Sequence, residues 1–322
     1  MPFLIHLKNR RLRACHTFHQ PPQEGRWKTT FMTTARFESP ILSRGTLPQE
    51  RSFTTMMVHV DVARDCEQRI QLALALADRF QAILIGVAGL TLRPAFAAGG
   101  VVVYHEVTED DCRTASARLD DIGRRFRLKG QHLKQVEWRS ALELPYELVS
   151  GEARAADLII VGARYTGGNV HDLVDPGVIF LRAGRPVLVV PAVVAPPHLH
   201  RVVVAWKDTR ECRRAVRDAL PFLQRANEVL VFGIDEGQPE TAKTHLSDVA
   251  AYLRRHGVLA VREVWQQARG PVAAELLHLV RDEGADLIVA GGYGHTRLGE
   301  WIFGGVTHEL LTSSPVCCML SH

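Results

Sequence analysis

The chain has 322 residues, 46% of them hydrophobic and 23% charged, an ordinary balance for a globular protein and a length that suggests about two domains. No apolar run approaches the ~18 residues of a membrane-spanning helix, so no membrane association is expected. The net charge of +4 is unevenly held: residues 1–52 carry nine Lys/Arg against three Asp/Glu, and the rest carry 30 against 32, so the body offers no electrostatic case for nucleic acid.

In chain order, residues 1–52 come first, mixing MPFLIHLKNRRLRA with PPQEGRW, ESP and GTLPQERS. They contain no apolar stretch followed by a small-residue cleavage site, so a secretory signal is not expected. The segment reads as a basic, disordered leader, or as translation from an upstream start given Met32, Met56 and Met57, and is expected to lie outside the fold. From Phe53 the pattern changes. MMVHVD (56–61) is a predicted strand, CEQRIQLALALADRF (66–80) a helix, and AILIGVAGL (82–90) a second strand. After a loop, Cys112, Ala115, Leu119, Ile122 and Phe126 share one face of a helix. QVEW (135–138) is a short third strand, LPYELVSGEARAA a helix, DLIIVGA a fourth strand and RPVLVVP (185–191) a fifth.

The second half repeats this order. RVVVAW (201–206), a helix through Arg213 to Leu223, EVLVFGID (228–235) and a helix over Ala250 to His256 open it. LAVREVW (259–265), the helix VAAELLHLVRDEGA and DLIVAGG follow, and a helix over Val306 to Leu311 and SPVCCML close it. ARAADLIIVGARY set against DEGADLIVAGGYG makes the repeat visible. Strands alternating with helices predict an α/β fold: two tandem Rossmann-like or flavodoxin-like domains, each a five-stranded, mostly parallel sheet with helices on both faces. The expected domains are 53–192 and 201–322, joined by a linker at 193–200 where PAVVAPPHLHR has adjacent prolines and no periodicity. His198 and His200 there are expected to be solvated. The six cysteines (15, 66, 112, 212, 317 and 318) form no C-x-x-C pair, so neither a zinc site nor a disulfide framework is expected and a reducing cytoplasm fits.

Between the fourth strand and last helix of the second half lies GGYGHTRLGEWIFGG, residues 291–305, with six glycines. Glycines after a strand let phosphate approach the backbone, and equally they serve plain turns and tight packing. The dinucleotide fingerprint fails because Arg297 stands where its third glycine belongs, and the P-loop fails because Glu300 and Trp301 follow Gly299. GARYTGGN, from Gly162, also fails, with Gly168 and Asn169 in place of Lys and Ser/Thr. In a doubly wound sheet this stretch leaves the carboxyl edge, where ligands bind.

The spacing of Gly291, Gly294 and Gly304 resembles the G-2x-G-9x-G-(S/T) pattern of nucleotide-binding members of the universal stress protein family, and the resemblance extends over both body halves. It implies bound ATP, with or without Mg²⁺, in the second half. Ala205, Trp206, Lys207 and Gly233 would face adenosine; Ala290, Gly291, Tyr293, Gly294, Gly304, Gly305, Val306 and Thr307 correspond to the remaining contacts. Two positions depart from the pattern: Gly305 stands at the Ser/Thr place, and Lys207 where Asp is common. In the first half Asp61 holds that acidic place, but Tyr165 replaces the second glycine, and Asp172 and Asp175 precede Gly177. The first half is therefore expected to be structural.

The expected function is a cytoplasmic stress-response module that binds an adenine nucleotide. No catalytic or metal-ligating residues are assigned, and turnover, if any, is expected to be slow. The alternatives are a nucleotide hydrolase of the same wider fold, and a partner-binding protein without nucleotide. The resemblance also implies that fifth strands associate edge to edge, within one chain or between two as a homodimer; here RPVLVVP is expected against SPVCCML, so that the first domain packs on the second.

Overall fold

In the computed structural model, the chain divides into two units, Met1–Gly45 and Thr46–His322. The described residues, all in the second unit, are 51–62, 66–92, 95–98, 101–104, 107–164, 174–193, 196–235, 239–267, 270–292 and 305–322. The first half runs β1 (Thr55–His59), α1 (Glu67–Phe80), β2 (Ile83–Gly89), a hairpin of β3 (Ala95–Ala98) and β4 (Val101–Tyr104), α2 (Glu109–Lys129), β5 (Val136–Ala141), α3 (Pro145–Glu152), β6 (Leu158–Gly162), α4 (Pro176–Arg182) and β7 (Val187–Val190). The second half runs β8 (Arg201–Ala205), α5 (Arg210–Asp218), α6 (Leu220–Leu223), β9 (Glu228–Asp235), α7 (Pro239–Arg255), β10 (Val261–Gln267), α8 (Val272–Asp282), β11 (Leu287–Gly291), α9 (Gly305–Thr312) and β12 (Cys317–Ser321).

Apart from the hairpin, the strands form one ten-stranded sheet in the order β10-β9-β8-β11-β12-β7-β6-β1-β2-β5. From either outer edge, the order is third, second, first, fourth and fifth strand of that half, all parallel within the half. The halves join where β7 and β12 run antiparallel, with Cys318 opposite Val189, Met319 opposite Leu188 and Leu320 opposite Val187. All six side chains are buried. Pairing satisfies two apolar edges that would otherwise be open to other strands.

Alternate residues of each strand face opposite layers. Met56 and Val58 enter one core and Met57 the other, and both cores continue from the first half into the second. In one of them Phe53 and Phe80 meet Phe222 of α6, at centroid separations of 5.0 and 5.4 Å. The repeated Ala-Asp-Leu has a structural reason in both halves. Asp157 accepts the Thr54 and Thr55 N–H groups (2.8 and 3.0 Å), and Asp286 accepts that of His200 (3.1 Å), so each clasps the entry to its half's first strand.

Several elements differ from the sequence reading: the helix expected through Arg213 to Leu223 is two, α5 and α6, and β10 lies two residues later than LAVREVW. The hairpin of β3 and β4 occupies part of an expected loop; its strands are four residues each, too short for a clear alternation. β5 extends to Ala141, beyond QVEW. α7 begins at Pro239, well before Ala250, because its early turns are mostly polar and hide the helical period. The linker is pinned: Leu199 is buried with a left-handed φ of 56°, and Arg79 donates to the Pro197 and His198 carbonyls (3.4 and 3.0 Å). His198 and His200 are exposed.

Candidate functional site

The strand order reverses between β8 and β11, so the chain diverges from their carboxyl ends to opposite faces and leaves a crevice. Ala290 lies beside Ala205 in register, and the Trp206 N–H donates to the Phe232 carbonyl (2.7 Å), carrying the β8 end beside β9. Thr209 then caps α5, accepting the Cys212 N–H at 3.3 Å. Above these ends opens a cavity of about 470 Å³, within the ~300–1,000 Å³ range of small-molecule sites.

The cavity gathers Ala205, Trp206, Lys207, Gly233, Ala290, Gly291 and Val306 from separate parts of the sequence. Phe232, Leu246 and Leu276 make its walls apolar, and exposed Lys207 and Asp208 stand among its polar lining. Asp208 is bonded to Arg213 at 2.7 Å. Gly305 is exposed and does not line the cavity, while Thr307 is buried, its methyl 3.4 Å from where a β-carbon on Gly292 would stand. Tyr293, Gly294 and Gly304 lie outside the described residues.

Gly291 has a packing role that the sequence did not reveal. A β-carbon there would sit 2.3 Å from the Cys212 backbone nitrogen and 2.4 Å from the Glu211 carbonyl carbon. The first turn of α5 therefore demands glycine at this place whether or not a ligand is bound. Gly233 is less constrained, since the atoms nearest its absent β-carbon, at 3.0–3.3 Å, belong to the Leu246 side chain. Sequence reasoning also missed the wall formed by Thr241, Ala242, His245 and Leu246 of α7. Leu246, Val249, Ala250 and Leu253 hold helical spacing there, and Pro239 suits a first helical turn.

The equivalent crevice of the first half is smaller, a cavity of about 240 Å³ whose lining includes Val60, Asp61, Cys66, Ile122 and Phe126, and its β1/β6 side is covered from within. The Arg69 guanidinium is ion-paired with Asp61, its Nε donates to the His59 carbonyl (3.0 Å), and its Nη1 lies 2.3 Å from where a β-carbon on Gly162 would stand. Arg69 and Asp61 side chains are only 10% and 12% exposed, so the pair covers the ends of β1 and β6. His59 Nδ1 lies 3.9 Å from Asp61, and burial pushes the imidazole down to about 4. The second half carries Ala215 three residues after Cys212, where the first carries Arg69 three after Cys66. Asp175 bonds to Arg164 at 3.0 Å and caps α4 through the Gly177 N–H at 2.7 Å. Tyr165 and Asp172 lie outside the described residues.

Among the described residues, no group of three His, Cys, Asp or Glu side chains could hold a metal ion, and no helix is long and apolar enough to cross a membrane. The described cysteines are free thiols. Burial pushes Cys318 up to about 12 and raises Cys317 further, so both remain protonated, as small apolar side chains of β12.

Residues 198–322 match the family model described as the universal stress protein family. No curated protein matches the chain. Among solved structures, a universal stress protein from Archaeoglobus fulgidus is 13% identical and superposes with a TM-score of 0.64, over 83% of this chain and 97% of that one. A functionally unknown protein from Pseudomonas aeruginosa PAO1 is 14% identical with a TM-score of 0.53, over 84% and 92% of the two chains. At such identities the structural likeness speaks for the fold, whereas the family match rests on the sequence of the second half. Residues 198–322 are thus similar in sequence to the universal stress protein family, and the first half repeats the fold of the second within the same sheet.

Proposed function

We propose that the second half binds an adenine nucleotide, ATP with or without Mg²⁺, and that the protein acts as a stress-response module whose ligand is bound rather than rapidly turned over. The observation that carries this reading is the cavity at the β8/β11 divergence, which unites the strand-end residues and Val306 beside the start of the glycine stretch. Its apolar walls suit a purine, and Lys207 is a cation within reach of an anionic ligand. The first half, with Arg69 across its crevice, is a structural partner without nucleotide.

Calorimetric titration of the full chain with ATP tests the proposal, together with identification of any nucleotide that co-purifies. Saturable 1:1 binding is expected. Gly294→Asp, which adds a carboxylate within the glycine stretch, should abolish it; unchanged affinity in that variant would sink the site assignment. Rapid release of AMP or phosphate would move the assignment to a hydrolase, and the absence of ATP binding would leave a partner-binding protein.

A further inference from the structure

We propose that Phe180, a residue of the first half, is a positioning residue for the second half's nucleotide site. This rests on the function proposed above. Phe180 lies on α4, is 1% exposed, and presses across the β7·β12 joint onto Gly292. A β-carbon on Gly292 would come 2.6 Å from Phe180 Cζ and 2.9 Å from Cε1, with the Thr307 methyl at 3.4 Å. Gly292 directly follows β11, so the glycine stretch leaves the sheet from a seat built partly by the other half. His322 frames the same place, its ring centroid 5.6 Å from that of Phe180 and its Nδ1 3.4 Å from the Gly292 carbonyl oxygen.

The reciprocal contact uses a different pair. Ala163 is the counterpart of Gly292: the Ala163 N–H donates to Val190 (2.8 Å) and the Gly292 N–H to Ser321 (3.2 Å). Across the joint from Ala163 stands Leu311 of α9, whose carbonyl accepts the Arg164 N–H at 2.7 Å. At one seat the neighbour across the joint is the Leu311 backbone, and at the other the Phe180 ring lies over a glycine. The ring and the missing β-carbon meet where the stretch with the family's glycine spacing begins. A small shift of this ring moves the Gly292 backbone, while the ends of β8 and β9 stay fixed in the sheet.

The test compares wild type, Phe180→Leu, Gly292→Ala and the double variant as full chains, each titrated with ATP and with adenosine. Each single change is expected to weaken ATP by about tenfold with adenosine within about twofold. The double variant, in which the smaller side chain at 180 makes room for the added β-carbon, should recover to within about threefold of wild type because contacting sites couple. Exchange of the Gly292 amide without nucleotide should be faster in both single variants and slower again in the double. Equal losses for ATP and adenosine, an additive double, or unchanged exchange would overturn the proposal. If Phe180→Leu does not fold, Gly292→Ala supplies the same ATP-to-adenosine comparison. Failure of wild type to bind ATP would refute the proposed function alone, and amide exchange would then decide whether Phe180 holds the backbone of this stretch.

Discussion

Gly291 and Gly305 stand at the two ends of the glycine stretch, yet their surroundings predict opposite outcomes on replacement by alanine. At Gly291 the new β-carbon would lie 2.3 Å from the Cys212 backbone nitrogen and 2.8 Å from its Cα. These are helix backbone atoms, so no rotamer change relieves the overlap, and α5 must move away from β11. Overpacking of a well-packed site costs about 1–3 kcal/mol, and rigid neighbours put this variant near the upper end. For a body of this size that lowers the melting temperature by roughly 5–10 °C. At Gly305 nothing among the described residues lies within 4 Å of the new atom, and alanine at this first residue of α9 is expected to be neutral or stabilising by up to about 1 kcal/mol. Thermal melts of the two variants without nucleotide check both statements. A Gly291→Ala melt within about 1 °C of wild type would refute the packing argument, because it would place the cost below roughly 0.5 kcal/mol. Loss of ATP binding in Gly291→Ala would therefore not identify a phosphate contact. Gly305→Ala, which leaves the fold intact, probes the ligand more directly.

Two further predictions concern charge. His59, lowered from its ordinary 6.5 to about 4 by burial, takes up a proton in the unfolded chain before it does so in the folded one. Stability should fall as pH drops from 6.5 towards 4, by about 3 kcal/mol from this residue; urea unfolding across that range should show the slope, and His59→Gln should flatten it by close to one proton. At the second site, Lys207→Asp restores an acceptor that an ammonium cannot supply and removes a cation near the phosphate path. Adenosine should bind up to about tenfold tighter, with ATP unchanged or weaker; equal shifts for both ligands would show that Lys207 does not discriminate between the two ends of the nucleotide.

The fold was legible where burial is continuous along the sequence. Runs such as DLIIVGA and DLIVAGG enter a sheet covered on both faces, so every residue is apolar and the strand stands out. Strand ends were legible for the same reason, and the family resemblance then singled out Ala205, Lys207, Gly233 and Gly291 at them. The α7 wall was hidden, because PETAKTHLSD presents solvent-facing turns before Leu246 supplies the first buried residue. Contacts distant in sequence were hidden altogether. Nothing near Gly162 announces that Arg69, 93 positions earlier, covers it, and nothing near Gly292 announces Phe180.

Those hidden contacts are what make two copies of one fold unequal. Asp61 alone would suggest that the first half keeps the adenosine end of a nucleotide site. Yet its carboxylate is already committed to Arg69, and separating such a pair leaves a nearly buried charge uncompensated, at a cost of about 3–5 kcal/mol. A ligand reaching between the ends of β1 and β6 must first meet that cost, whereas at the second crevice Ala215 puts no charge in the way. The acidic residue is thus retained in the half with the smaller cavity, and the larger cavity carries lysine in its place. Motif residues read one at a time favour neither half; the Arg69–Asp61 pair and the larger cavity are what support the proposal that a ligand binds in the second.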